Sequence, residues 1–169
     1  MAAEKSALIV IDMQNWEIKE STRHLPGKIT AFIDENKEKV NHIIFTQSFN
    51  SKNFNLYKLL DVKRGIKGYD THMVKELGRF INKGNLFKKY TYSAFKSRTF
   101  LEFLRKNKIS KLYLCGINTD VCVLATYYDA FDLGYNVRVL GNLCGSVISK
   151  GNHKGALNIM KKLVVNRIE

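Results

Sequence analysis

Short apolar segments alternate with segments of helical periodicity along the chain, and this alternation constrains the fold most. Continuous apolar runs, rather than runs in which apolar and polar residues alternate, are typical of strands buried on both faces. Strands that alternate with helices form a parallel sheet with helices on both faces. We therefore predict an α/β fold, a three-layer α/β/α sandwich with a mainly parallel sheet of five to six strands. The predicted strands are residues 6–11, 42–46, 85–88, 111–115 and 136–140, with 163–165 as the candidate sixth.

The remaining segments are predicted as helices or as loop. Apolar residues at helical spacing indicate a helix that begins at Pro26, and Gly134 is expected to end a helix over 119–133. Residues 47–67 show no clean period and are rich in Asn, Ser and Lys, so we predict a long functional loop. Because no linker or repeat interrupts the chain, we expect a single domain over residues 1–169. Further helices are predicted over 71–81, 98–108 and 151–163.

The net charge of the chain is +13, with 28 Lys and Arg against 15 Asp and Glu. Of the basic residues, 21 are Lys and 7 are Arg, whereas proteins that read nucleic-acid sequence depend on Arg for bidentate contacts. The sequence also lacks the signatures of RNA-recognition and helix-turn-helix modules. We therefore interpret the charge as a solvated basic surface with no specific nucleic-acid partner. An anionic substrate and a nucleic-acid-binding function stay open as alternatives.

The compartment follows from the apolar segments and the cysteines. No apolar run approaches the roughly 20 residues that span a bilayer, and the apolar stretch over 7–11 is too short for a signal peptide. We therefore expect a cytoplasmic protein with no membrane partner, in which cysteines are free thiols. We interpret Cys115 as a core residue, Cys144 as structural and Cys122 as the candidate nucleophile.

Candidate reactive groups follow three of the predicted strands. Asp12 follows the first strand, Lys89 follows the third, and Cys122 begins the helix after the fourth. Because ligands bind beyond the carboxyl ends of parallel strands, these side chains should meet in one crevice. The positive end of the helix dipole and a nearby ammonium both favour the thiolate form of Cys122. Thr119 or Asp120 is expected to cap the helix, and the free N–H groups of its first turn suit an oxyanion hole.

Three segments around these residues resemble the signature segments of a known family. They are Ile9-Val-Ile-Asp-Met-Gln-Asn15, Lys89-Tyr-Thr-Tyr-Ser-Ala-Phe95 and Gly116-Ile-Asn-Thr-Asp-Val-Cys-Val123. Taken in order, they span nearly the whole chain and are similar to those of the isochorismatase-like cysteine hydrolases. This superfamily includes nicotinamidases and N-carbamoylsarcosine amidohydrolases.

The resemblance implies a catalytic triad of Asp12, Lys89 and Cys122. It also implies a cis peptide bond between Ile117 and Asn118, and an oxyanion hole formed by the backbone N–H groups of Asn118 and Cys122. Asp12 would accept the thiol proton, and Lys89 would stabilise the resulting negative charges. The implied enzyme is a cysteine-dependent amidohydrolase that cleaves a C–N bond of a small molecule through a thioester.

The family also suggests a pocket, an assembly and an alternative reaction. Aromatic residues often wall a small planar substrate in this superfamily, which makes Trp16, Phe49 and Tyr92 candidate pocket residues. Its members are usually dimers or tetramers, so we expect a homodimer or homotetramer. The alternative reaction is that of a true isochorismatase, a vinyl-ether hydrolase. The position of Cys122 is typically not Cys in those enzymes, and this argues against that alternative.

The metal motif of the nicotinamidases is missing from the sequence. They carry Asp-x-His just after the second strand, where residues 46–52 of this chain read Thr-Gln-Ser-Phe-Asn-Ser-Lys. The four histidines, at positions 24, 42, 72 and 153, are too scattered to predict a ligand set. We therefore predict no metal and no cofactor, and we disfavour nicotinamidase activity. His153 is interpreted as a surface residue at a helix start, with a substrate contact as the alternative.

Overall fold

A sheet of parallel strands organises the fold. The computed structural model describes residues 4–163 of the chain, and within them the sheet has five strands. These are β1 (Lys5–Ile11), β2 (His42–Ser48), β3 (Leu86–Lys89), β4 (Ile109–Ile117) and β5 (Asn136–Gly145). The strands lie in the order β3-β2-β1-β4-β5, and every neighbouring pair is parallel. The predicted α/β fold with a parallel sheet is confirmed.

Helices connect the strands and pack on the sheet. α1, α4 and α5 contact β5, and α3 contacts β4. Within residues 4–163, no helix is both long enough and apolar enough to cross a membrane. The helices are α1 (Leu25–Asn36), α2 (Asn55–Lys58), α3 (Arg98–Lys106), α4 (Leu124–Asp132) and α5 (Lys150–Leu163).

The core is built around the central strand. All six residues from Ser6 to Ile11 of β1 are buried, because the strand has a neighbour on each side and packing on both faces. A strand in this position has no solvent face, and this explains why its sequence shows no apolar and polar alternation. The strongly amphipathic α3 covers the sheet with its apolar residues Phe100 and Leu104.

The segment after β4 differs from the single predicted helix over 119–133. It begins as a π-helical turn over Thr119–Val123 and continues as α4 over Leu124–Asp132. Such π turns are frequent at functional sites. Gly134 follows the helix with φ of 84°, the conformation expected of a glycine that ends a helix.

The short helix predicted within 71–81 is present as a 3₁₀ helix over Lys75–Phe80, but the start of the region differs. Another 3₁₀ turn ends at Thr71, and the residues between the two turns pair with the chain that leaves β1. The Val74 N–H donates to the carbonyl of Met13 at 2.9 Å, and Met73 forms an isolated antiparallel bridge with Gln14. These backbone contacts require an extended conformation, which interrupts the helix. The turns span Gly68–Thr71 and Lys75–Phe80.

The predicted loop after the second strand and the candidate sixth strand also differ from the structure. The long loop predicted over 47–67 begins after β2 has extended to Ser48, and it contains the short helix α2. The candidate sixth strand over 163–165 begins at Leu163, which is the last residue of α5. The other two residues of that candidate lie outside the described residues.

Gly116 allows β4 to approach β1 closely beside the predicted site. Its φ is +113°, and β4 places it opposite Ile11. A Cβ at this position would lie 2.8 Å from the backbone nitrogen of Ile11 and 2.9 Å from its carbonyl carbon. Both the conformation and the space therefore require glycine. Asp12 directly follows Ile11, and Asn118 comes two residues after Gly116, so the close approach lies at the base of the predicted site.

We predict that Gly116→Ala lowers the free energy of unfolding by about 2–6 kcal/mol, because a strained backbone and a clash with main chain add together. Chemical denaturation followed by circular dichroism measures the change. Gly134→Ala is the matched control, since φ there is also positive but no atom lies within 4 Å of the added Cβ. The Gly134→Ala control should lower the free energy of unfolding by about 1 kcal/mol. Equal losses in the two variants would contradict the close approach.

Candidate active site

The three predicted catalytic side chains meet at the carboxyl edge of the sheet. Lys89 Nζ lies 2.6 Å from Asp12 Oδ2 and donates to Cys122 Sγ at 3.5 Å. Asp12 is 0% exposed, Lys89 1% and Cys122 7%. Asp12 follows β1 and Lys89 ends β3, which are separated by β2, so the long lysine side chain bridges the gap. The lysine ammonium therefore contacts both the candidate base and the candidate nucleophile.

The Lys89 ammonium is enclosed by acceptors. Besides Asp12 and Cys122, it donates to the carbonyl oxygens of Thr91 at 2.9 Å and Tyr92 at 3.0 Å. Burial acts to lower the pKa of Lys89, but the charges of Asp12 and Cys122 and the hydrogen bonds to both raise the pKa above its ordinary value. Lys89 is therefore the fixed positive charge of the site.

Asp12 is held by its own backbone conformation and by Thr46. The Thr46 hydroxyl donates to Asp12 Oδ1 at 2.7 Å, and the Asp12 N–H donates back to Thr46 Oγ1 at 3.2 Å. The φ of Asp12 is +49°, in the left-handed region that side-chain-bearing residues adopt infrequently. Sequence reasoning missed Thr46. The available signal was its place near the end of β2, the strand that pairs with β1.

Burial and charge act in opposite directions on the Cys122 thiol. Burial raises the pKa of Cys122 well above its usual range, and the charge of Lys89 offsets only part of this effect. The Lys89 charge thus acts toward thiolate, as expected, but burial outweighs it. The other two cysteines are buried free thiols, as interpreted, with Cys115 in β4 and Cys144 in β5.

The predicted helix cap is wrong, because the side chains of the turn bind α5 instead. No side chain caps the π-helical turn. The Thr119 hydroxyl pairs with His153 Nδ1 at 2.8 Å, and Asp120 Oδ2 accepts from the Asn152 side chain at 3.1 Å. His153 is half-buried, so it is not the freely exposed surface residue that was expected. Its side-chain hydrogen bond goes to Thr119 and not to the triad. These bonds fix the Cys122 turn against α5.

The peptide bond between Ile117 and Asn118 is cis, and Asn118 anchors the turn that follows. The Asn118 carbonyl accepts the N–H groups of Val121 at 3.1 Å and Val123 at 3.0 Å. Its side-chain oxygen accepts the Val147 N–H at 2.8 Å. The backbone on both sides of Cys122 is therefore tied to one residue. The oxyanion hole of the Asn118 and Cys122 N–H groups stays a prediction.

Glu17 is a buried acid in the site that sequence reasoning missed. It ends a 3₁₀ turn over Asn15–Glu17, and its Oε2 accepts from the Asn118 side-chain nitrogen at 3.0 Å. Burial raises the pKa of Glu17 to about 7, the Asn118 bond opposes the rise, and the charge of Asp12 adds to it. The available signal was its position five residues after Asp12 at the same sheet edge.

A mostly apolar cavity of about 490 Å³ lies beside the segment that holds the Lys89 ammonium, although no triad residue lines it. Tyr92 lines it, as does Thr91, and the carbonyls of both accept from Lys89. The other two aromatic residues that were predicted to line the pocket, Trp16 and Phe49, do not line this cavity. Trp16 packs near Gly65, and the Phe49 ring lies under the Lys88 ammonium at 5.2 Å. The remaining lining residues are Asn53, Phe54, Asn55, Leu56, Leu59, Leu60 and Tyr90.

The segment after β2 does not offer metal ligands. Thr46 binds Asp12, the Gln47 side chain donates to the Thr71 carbonyl at 2.8 Å, and the Asn50 side chain donates to the Val62 carbonyl at 2.6 Å. Across residues 4–163, no group of three or more His, Cys, Asp or Glu residues could hold a metal ion. A metal site like that of the nicotinamidases therefore does not fit these residues.

Known proteins are similar to this chain in sequence over limited segments. The chain is 37% identical over 70 residues to the uncharacterized isochorismatase family protein PncA of Bacillus subtilis (strain 168), covering 41% of this chain and 38% of that protein. It is 40% identical over 63 residues to the nicotinamidase of Escherichia coli (strain K12), covering 34% of this chain and 30% of that enzyme. The chain thus aligns with less than half the length of each relative.

The fold and a family model extend the similarity to nearly the whole chain. The crystal structure of nicotinamidase PncA from Bacillus subtilis matches with a TM-score of 0.85 at 24% identity, covering 97% of this chain and 98% of that one. At this identity the likeness shows the fold. The model of the isochorismatase domain matches residues 6–168. The chain therefore belongs to the isochorismatase family of hydrolases.

Proposed function

We propose that the protein hydrolyses an amide-type C–N bond of a small molecule, with Cys122 as the nucleophile and a thioester as the intermediate. The observation that carries the proposal is the buried contact of Lys89 Nζ with both Asp12 Oδ2 and Cys122 Sγ. Two relatives that are named nicotinamidases support amide chemistry. Because the segment after β2 lacks metal ligands, the proposed substrate is an amide other than nicotinamide.

Acylation begins with a proton transfer from Cys122 to Asp12. The sulfur then attacks the carbonyl carbon, and the Lys89 ammonium balances the negative charge that develops. The backbone N–H groups of Asn118 and Cys122 would hold the oxyanion. When the C–N bond breaks, Asp12 returns its proton to the leaving nitrogen, and the acyl group stays on Cys122.

Deacylation uses the same groups with water as the nucleophile. Asp12 accepts a proton from water, and the hydroxide attacks the thioester carbon. The C–S bond breaks as the tetrahedral intermediate collapses, and Asp12 protonates the departing sulfur. One water is consumed, an acid and an amine or ammonia are released, and the neutral thiol of the resting site is restored.

The non-reacting part of the substrate would lie in the cavity lined by Tyr90, Thr91 and Tyr92. Apolar side chains from the segment 54–60 form much of its wall. Because the carbonyls of Thr91 and Tyr92 bind Lys89, a group in this cavity lies next to the triad. A volume of about 490 Å³ is within the usual range for small-molecule sites.

We predict that Cys122→Ala lowers kcat/KM for any hydrolysed amide by at least about 1,000-fold, because the covalent route is lost. A scan of amide, ureido and hydroxamate substrates, read by ammonia and amine release, measures the activity. Intact-mass spectrometry of the wild type with slow substrates should show an acyl adduct on Cys122. Pyruvate released from isochorismate, without an adduct, would instead support the vinyl-ether reaction.

Cys144→Ala is the control for loss of a buried thiol, because Cys144 is equally enclosed but has no contact with the triad. This variant should keep its activity per folded molecule, as determined after circular dichroism confirms folding. Full hydrolase activity in Cys122→Ala, with the same fold, would contradict the proposed mechanism.

Metal removal should leave the activity unchanged, because no described side chains form a ligand set. The protein is treated with a chelator, dialysed and assayed, and its metal content is measured by plasma mass spectrometry. A stoichiometric metal ion that survives dialysis, or activity that returns only when zinc or iron is added, would overturn this prediction.

Thr46→Val should lower kcat by about 10-fold while KM stays similar, because Asp12 loses a buried hydrogen bond to its carboxylate. Thr126→Val is the matched control. The Thr126 hydroxyl is also buried but accepts the N–H of Ala94 rather than touching the triad. The control should lose stability without losing activity per folded molecule. Equal kcat values in the two variants would contradict a positioning role for Thr46.

A further inference from the structure

The Glu17 carboxyl is buried in the candidate active site, and only one of its two oxygens accepts a hydrogen bond from another described residue. Its side chain is 7% exposed, and Oε2 accepts from the Asn118 side chain at 3.0 Å. No other atom of the described residues hydrogen-bonds the second oxygen, Oε1. The Glu17 backbone is fixed independently, because its carbonyl accepts from the Thr22 hydroxyl at 3.1 Å. One carboxylate oxygen is therefore available beside the residue whose N–H is assigned to the oxyanion hole.

The cations near Glu17 are engaged elsewhere or exposed. The charge of Lys89 acts on Glu17, but its ammonium is bound to Asp12. Arg64 also feels the charge of Glu17, but its guanidinium makes two hydrogen bonds to Asp70, at 2.6 and 3.1 Å. Lys19 is exposed and forms no ion pair within residues 4–163. A buried carboxylate without a dedicated cation is costly in free energy.

The anions of the site increase this cost. The charge of Asp12 disfavours ionisation of Glu17, and an ionised Glu17 in turn opposes loss of the proton from Cys122. A positive group placed against Oε1 would relieve both effects. The groups that act on Glu17 are thus the cations Lys19, Arg64 and Lys89 and the acids Asp12 and Cys122, and none of them supplies a dedicated opposite charge.

We propose that Glu17 is a specificity-determining residue, whose free oxygen pairs with an ammonium group that the substrate carries close to its scissile amide. The inference rests on the proposed amidase function and narrows it to amino-substituted amides. Pairing with the substrate supplies the cation that the site lacks, and it does so only when the substrate is bound. The neutral cavity then receives the apolar remainder of the substrate.

A pair of amides with nearly the same shape tests the proposal. β-Alaninamide carries an ammonium where butanamide carries a methyl group. The wild type should favour β-alaninamide by about 10–100-fold in kcat/KM, mainly through KM, since a charge-assisted hydrogen bond is gained. Glu17→Gln keeps an oxygen for Asn118 but removes the charge, so the preference for β-alaninamide over butanamide should vanish. Glu20→Gln, which removes an exposed acid three residues away, should keep the preference.

A binding measurement separates this proposal from the proposed function. Calorimetry with the Cys122→Ala protein should show that β-alaninamide binds at least about 10-fold more tightly than butanamide, and that adding Glu17→Gln abolishes the difference. If no amide is hydrolysed but this difference is found, the proposed function fails and the role of Glu17 stands. If both amides are hydrolysed equally by wild type and Glu17→Gln, the role of Glu17 is overturned and the amidase function stands.

The pH dependence of stability gives a readout that needs no substrate. The pKa of Glu17 is raised to about 7 from an ordinary value of 4.5, so the folded state holds this proton more tightly than the unfolded state. The contribution of this protonated carboxyl to the free energy of unfolding is fully present below pH 4.5 and is lost as the pH rises through 7. Glu17→Gln should therefore raise Tm at pH 8 and change it little at pH 4.5, relative to wild type. An equal effect at both pH values would show that Glu17 has only a packing role and overturn the proposal.

Discussion

The buried ion pair of Asp12 and Lys89 is the interaction on which the rest of the site depends. Two charges at the edge of a parallel sheet, both almost fully desolvated, are stable only when every remaining polar atom around them has a partner. Thr46 supplies a partner for the carboxylate, and the carbonyls of Thr91 and Tyr92 supply partners for the ammonium. Removing either charge would leave the other unpaired in a dry environment. The site is therefore a single electrostatic unit rather than three separate residues.

This ion pair also limits how much charge stabilisation reaches Cys122. With the ammonium already bound to Asp12, Cys122 receives only a longer contact at 3.5 Å, and burial raises the pKa of its thiol. In the mechanism proposed above, the thiolate would form next to Asp12, the acid that takes its proton, and beside the Lys89 ammonium. A raised thiol pKa also disfavours oxidation of the cysteine, because oxidants react with the thiolate.

The residues that sequence reasoning located share one property, and those that it missed share another. Asp12, Lys89 and Cys122 stand at strand ends, and the topology of any parallel α/β sheet brings such positions together. Thr46 and Glu17 act through strand register and a short 3₁₀ turn, which a threonine or a glutamate in sequence does not reveal. The effect of burial on the Cys122 thiol was missed for a related reason. A helix dipole is a local property, whereas burial is decided by the whole fold.

The residues that line the cavity fall into two groups, which differ in whether they also bind the catalytic lysine. Thr91 and Tyr92 contribute backbone carbonyls to the lysine, so their main-chain positions cannot move without disturbing the ion pair. Phe54, Leu56, Leu59 and Leu60 lie between β2 and β3 and line the cavity without a hydrogen bond to the ion pair. Substitutions in this segment can therefore reshape the cavity while Asp12, Lys89 and Cys122 stay in place. The fold thus separates the residues that could change which molecule is bound from those that the proposed chemistry requires.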